Sequence, residues 1–196
     1  MARLTREESR ERTRAALLDV ATEHFLDRGY ADTSVDRIAE EAGYSKGAVY
    51  SNFGGKDELC RDVIRGIRAH KLTEAVQLSG NITSIDTFES AVRQWCEHAF
   101  GDRRWALLEM EFGARGRVSP VIEEEIRESN RQLRAAAAYM LADFARRLDV
   151  ELADTPEKSA DIVVGLCLGI GVQRAFDPDI SIEDLVHTIV RHVITT

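Results

Sequence analysis

Between Ser45 and Phe53 the chain reads Ser-Lys-Gly-Ala-Val-Tyr-Ser-Asn-Phe, a short run dense in groups that bond anions and the edges of flat polar rings. Lys46 offers a cation that can reach a phosphate or a base edge. Gly47 has no side chain and lets a ligand approach the backbone. Ala48 can touch a thymine methyl, and Ser51 and Asn52 can bond phosphate or base edges. Tyr50 presents an aromatic body with a hydroxyl tip. Val49 and Phe53, four apart, share the opposite face and turn it inward. This is the chemistry of recognition, not of bond breaking. The chain carries no G-x-S-x-G, P-loop or H-E-x-x-H motif and no activated cysteine context, so it is read as a non-enzyme without cofactor or metal.

Such a row needs a scaffold, and the preceding residues supply it. Val35, Ile38, Ala39 and Ala42 fall at helical spacing on one face. Gly43 then supplies a positive φ that ends the helix, and Ser45 caps the next one. Two short helices joined by a glycine turn form the helix-turn-helix that sends its second helix into the DNA major groove.

The segment from about Arg12 to Leu59 resembles the DNA-binding domain of TetR-type transcriptional repressors. The resemblance rests on an apolar helix over Ala21 to Phe25, Gly29-Tyr30, Ser34 to Gly43, Ser45 to Phe53, and Lys56-Asp57. Ala48 departs from the Thr often found there, which removes a hydroxyl contact. Gly54-Gly55 replaces a more usual single small residue. The resemblance implies that Tyr50 lies on the DNA backbone and that Lys56 contacts phosphate at the start of the next helix. The expected DNA-binding set is Ser34, Ser45, Lys46, Gly47, Ala48, Tyr50, Ser51, Asn52 and Lys56, facing a double-stranded operator.

The 196 residues carry a net charge of −8, and residues 1–57 hold nine Lys/Arg against eleven Asp/Glu. Because phosphate neutralisation drives affinity, positive charge must be focused on the contact face. Arg3, Arg6, Arg10, Arg12 and Arg14 crowd the N-terminus, either for phosphate or salt-bridged to Glu7, Glu8 and Glu11. Apolar residues make up 44%, and prolines number three. With few period-two segments, the reading is all-α, about nine helices. Cys60, Cys96 and Cys167 form no framework and read as buried filler, not redox sensors. No signal-peptide core appears, and the apolar run Ile162–Val172 is too short to span a bilayer. The chain is therefore expected in the cytoplasm, off membranes.

Helix starts are marked by Thr5 with Glu8, Thr33 or Ser34, Ser84, Ser119-Pro120, Thr155-Pro156 and Ser181 with Asp184; Gly29 is expected to stop the first helix. A helix-turn-helix domain over 1–57 is followed by a helical domain over 58–196. The resemblance implies that the second domain dimerises and binds a small-molecule effector. The helix containing Ile162–Val172 is apolar nearly all round and must be buried on every side. Gly165 and Gly169, four apart, admit a close backbone, which favours a homodimer through the last two helices. The aromatic set Trp95, Phe100, Trp105, Phe112, Tyr139 and Phe144 suggests a cavity. Trp95, His98, Trp105, Glu109, Phe112, Tyr139 and Gln173 are the candidate ligand contacts. His187 and His192, five apart, do not share the face a metal pair needs. A ligand-released repressor is the leading reading. A DNA-binding regulator governed by a protein partner or by no effector is the alternative, and an all-α enzyme ranks below both.

Overall fold

The structure is a computed structural model describing residues 5–195; Arg3 and the side chains of Phe100 and His192 lie outside the described set. Nine helices occur among the described residues: α1 (Arg6–Asp32), α2 (Val35–Glu41), α3 (Lys46–Phe53), α4 (Lys56–Gly80), α5 (Ile85–Phe100), α6 (Arg103–Arg115), α7 (Pro120–Leu148), α8 (Pro156–Phe176) and α9 (Glu183–Val193). A minimal antiparallel pairing, Glu151 with Thr195 and Leu152 with Ile194, adds two two-residue strands to the all-α chain.

Local chemistry explains most of the boundaries. Thr5 and Glu8 form the capping box that starts α1. Ser45 accepts from the Ala48 N–H at the start of α3, Ser84 caps α5, and Thr155 with Pro156 opens α8. At the last helix, Ser181 Oγ accepts from the Glu183 N–H.

Gly29 breaks α1 without ending it. Its φ of 71° and ψ of −177° are open to glycine alone, yet helical residues continue to Asp32. The hydroxyl of Thr33 donates to the carbonyls of Gly29 (2.6 Å) and His24 (3.0 Å), taking up acceptors the break releases.

The chain divides into two compact units. The first combines the described part of residues 1–67 with Leu107–Ile126. Its core holds Leu17, Phe25, Ile38, Val49 and Leu59 together with Phe112 and Ile122, all fully buried. Arg14, half-buried, staples this unit together. Its guanidinium lies 4.4 Å from the Phe53 ring centroid, donates 2.8 Å to the Asn52 carbonyl and pairs with the largely buried Asp62. Arg14 is thus an internal tie and not a free phosphate contact. Arg65 pairs in the same way with Glu125, whose side chain is 5% exposed.

The second unit combines residues 68–106 with the described part of 127–196. Phe88 stacks on Phe144 at 4.3 Å in a core shared by α5, the later part of α7, α8 and α9. Arg147 donates to the carbonyls of Ser79 (2.7 Å) and Ile82 (3.0 Å) around the end of α4, and Arg93 ties α5 to Glu183 of α9 at 2.7 Å.

Helix α8 departs from the expectation of burial on every side. Val164 and Cys167 face the core, but Ile162, Leu168, Val172 and Phe176 are exposed, and open space lies beside Gly165 and Gly169. At 21 residues α8 is also long and apolar enough, by length and composition, to cross a membrane, which the apolar run alone does not suggest; here one face of it lies in the core of the second unit.

Candidate nucleic-acid interface

The inward face of α3 is filled by Val49, fully buried, and Phe53, 7% exposed. That fixes the helix rotation and turns Ser45, Lys46, Gly47, Tyr50 and Ser51 outward, all exposed. Tyr50 keeps 48% of its surface open. Lys46 pairs across the turn with Asp36 of α2 at 3.0 Å; this exposed pair raises the lysine's pKa, chiefly through the hydrogen bond. Such an exposed pair holds weakly and can be exchanged for phosphate. Ser51 Oγ donates 3.1 Å to the Ala48 carbonyl. Ser34 stands at the N-cap of α2 without a side-chain cap bond, and Ala48 is half-buried.

Asn52 is placed differently from its outward sequence reading. Its amide donates 2.8 Å to the Ala48 carbonyl, and its Oδ1 is buried without a hydrogen-bond partner. The rotation that seats Val49 and Phe53 brings Asn52 to the inner edge, beneath Arg14.

Lys56 opens α4 and lies 4.5 Å from the Tyr30 ring centroid, donating 3.1 Å to the Ala31 carbonyl. Burial lowers its pKa. Beside it, Asp57 gathers hydrogen bonds from the Tyr30 hydroxyl, Ser119 and Arg115. Burial pushes its carboxyl up, but these donors outweigh burial and hold it below the usual carboxylate range. Tyr30 is pushed up to about 12 by burial and by its bond to Asp57. The Glu111 carboxylate accepts the Tyr30 N–H. Residues of α6 and the α6–α7 turn therefore belong to the cluster that seats Lys56. Nothing in their sequence spacing signals this, because the contact spans 81 positions.

The candidate ligand contacts are less gathered. Trp95 Nε1 donates 3.3 Å to the Lys71 carbonyl, and the Lys71 ammonium sits 5.8 Å from the ring centroid of Trp105, which is 5% exposed. These two tryptophans thus share a neighbour. Glu109 and Phe112 fall in the first unit, the others in the second. Tyr139 is 74% exposed, His98 is exposed, and Gln173 lines a groove of about 390 Å³ between α8 and α9 beside Gly165 and Gly169.

Residues 17–63 match the family described as bacterial regulatory proteins, tetR family, and residues 85–196 match the BetI-type transcriptional repressor C-terminal family. The HTH-type transcriptional regulator TtgW of Pseudomonas putida is 43% identical over 72 residues, 37% of this chain; the chain thus spans about half (52%) of that relative's length. A transcriptional regulator from Rhodococcus sp. Rha1 has a similar fold, with a TM-score of 0.69, 22% identity, and coverage of 96% of this chain and 99% of that one. The regulator FadR from Bacillus subtilis, solved with stearoyl-CoA, has a TM-score of 0.70 and 13% identity, with coverage of 90% and 95%.

Proposed function

The chain belongs to the tetR family of bacterial regulatory proteins, and from that premise we propose a repressor acting on a near-palindromic operator. It is a transcriptional regulator and not an enzyme. In this reading residues 1–57 read DNA and residues 58–196 dimerise and respond to a small, largely apolar ligand that releases the operator. The protein acts in the cytoplasm.

The observation that carries the DNA reading is the exposed row Ser45, Lys46, Gly47, Tyr50 and Ser51 on a helix whose other face is locked by Val49 and Phe53. The dimer reading rests on the open apolar face of α8 and the unfilled space beside Gly165 and Gly169. A two-fold protein places two recognition helices about 34 Å apart, or a multiple of that, on successive major grooves. A ligand that favours a different spacing shifts the population away from DNA, and operator DNA then weakens the ligand by the same factor. The ligand proposal centres on Trp95 and Trp105. FadR of Bacillus subtilis holds an acyl-CoA in a related fold, which is compatible with an apolar effector here.

A second reading, a DNA-binding regulator without a small-molecule effector, draws on the exposure of Tyr139 and the division of the aromatic candidates between the two units. Selection of genomic fragments on the purified protein, followed by sequencing, tests the DNA reading. Enrichment of a two-fold motif is expected; recovery of fragments without a shared sequence overturns it.

A further inference from the structure

Lys56 is held at two places, its ammonium and its backbone. The ammonium lies 4.5 Å from the Tyr30 ring centroid and donates 3.1 Å to the Ala31 carbonyl. The backbone opens α4 next to Asp57, whose carboxylate accepts from the Tyr30 hydroxyl, Ser119 and Arg115. Tyr30 is the platform for both holds, and two residues of α6 support it. Glu111 accepts the Tyr30 N–H, the first amide after the break at Gly29. The Arg115 guanidinium lies 5.3 Å from the Tyr30 ring centroid and reaches Asp57 Oδ1 at 3.4 Å. All of these residues belong to the first compact unit.

We infer that Glu111 and Arg115 are positioning residues for DNA binding, setting the Lys56 ammonium where it meets a phosphate. The inference rests on the reading of Lys56 as a phosphate contact, and it adds two residues from outside the segment 1–57 to which that reading is confined.

A lysine ammonium is a point charge on a flexible four-carbon stem, and ordering that stem on contact costs conformational entropy. A lysine confined beforehand loses less when the phosphate arrives. The ammonium carries three N–H donors; the Ala31 carbonyl takes one, and the Tyr30 face attracts the charge while donors remain for an anion. Glu111 gives the inference a definite sign. It is an exposed carboxylate on a protein that meets a polyanion, so by charge alone its removal strengthens binding. As a support for Tyr30, its removal weakens binding.

The test titrates the full-length protein against a selected operator at several salt concentrations, below the unfolding midpoint measured for each variant. Lys56→Ala should weaken binding roughly tenfold, the scale of one charge-assisted hydrogen bond. It should also lower the salt slope by roughly one unit. Glu111→Ala and Arg115→Ala should each lose part of that factor and lower the slope in the same direction. Glu111→Gln keeps an oxygen for the Tyr30 N–H and should bind as wild type. In the Lys56→Ala background neither alanine change should weaken binding further. A support of the fold alone would lower the midpoint and leave the salt slope unchanged. Arg115→Gln serves in the cycle if Arg115→Ala does not fold. Three results overturn the inference while Lys56→Ala still weakens binding: Glu111→Ala binding as tightly as wild type or more so, Glu111→Gln as weak as Glu111→Ala, or an Arg115→Ala loss undiminished in the Lys56→Ala background. Wild-type affinity in Lys56→Ala also ends the inference, and places the fault in the reading of Lys56 itself.

Discussion

The carboxylate of Glu111 occupies the space that a side chain on Gly29 would fill: a Cβ there would lie 2.5 Å from Glu111 Oε1. The glycine is required by its backbone angles, whereas the Glu111 carboxylate, at the end of a flexible side chain, could give way at the expense of its bond to the Tyr30 N–H. Gly29→Ala should destabilise the protein by about 1–3 kcal/mol in urea unfolding, the usual cost of forcing a side chain into this region. Gly29→Ala combined with Glu111→Ala should recover only the steric part. A double variant as stable as wild type would show that the angle carries no strain.

DNA binding should depend on the outward row of α3. Lys46→Ala should weaken operator binding and, where the contact is to phosphate, lower the salt slope by roughly one unit. Tyr50→Ala should weaken binding without changing the unfolding midpoint. Asn52→Ala should act mainly on stability, because its amide is committed to its own helix. Titration of each variant against a selected operator at several salt concentrations separates these effects. Wild-type affinity in both Tyr50→Ala and Lys56→Ala would exclude the proposed docking.

The Tyr30–Asp57 bond predicts stability changes at both ends of the pH scale. Asp57 is held below the usual carboxylate range, so its contribution is present at neutral pH and is lost as acid titrates through the depressed value. Tyr30 is pushed up to about 12, so its contribution is complete below the ordinary phenol value of 10.0 and is lost as pH rises from there towards 12. Tyr30→Phe should cost about 1–2 kcal/mol at neutral pH and flatten the alkaline limb of the stability curve. An unchanged alkaline limb would remove Tyr30 as its cause.

Gly169→Leu should separate protomers while leaving the single chain folded. Within the chain nothing outside its own helix lies within 4 Å of a Cβ placed there, and the groove towards α9 leaves room for the rest of the side chain, so overpacking of about 1–3 kcal/mol is expected chiefly where a second copy approaches. Light scattering at micromolar concentration should read a dimer for wild type and a smaller particle for the variant. A monomeric wild type would end the dimer reading.

Helix starts are legible in the sequence because caps act over three residues: Thr5 with Glu8, Ser45, and Thr155-Pro156 each carry their own reason. The inward face of α3 is legible for the same reason, since Val49 and Phe53 are one helical turn apart. Arg14 is not. Its partners, Asn52 and Asp62, lie 38 and 48 positions away, and a charged residue on an N-terminal helix carries no mark of folding back onto them. Asn52 escapes a local reading too: on a helix of eight residues a small rotation decides between water and core. The aromatic residues from Trp95 to Tyr139 read as one cluster in sequence, but helical spacing says which side is apolar, not which neighbour it meets.

Each border between the two compact units falls inside a helix: after Ile67 in α4, after Ala106 in α6 and after Ile126 in α7. A protease needs a pliable strand of about ten residues to thread its cleft, and a hydrogen-bonded helix does not offer one. Digestion should therefore release no free-standing DNA-binding fragment. A gene truncated after Ile67 would also lack Glu111, Arg115 and Glu125, leaving Tyr30, Asp57 and Arg65 without their counterparts. The segment proposed to touch DNA is therefore not expected to be a detachable module, and transplanting it onto another regulator would require carrying the α6–α7 corner with it.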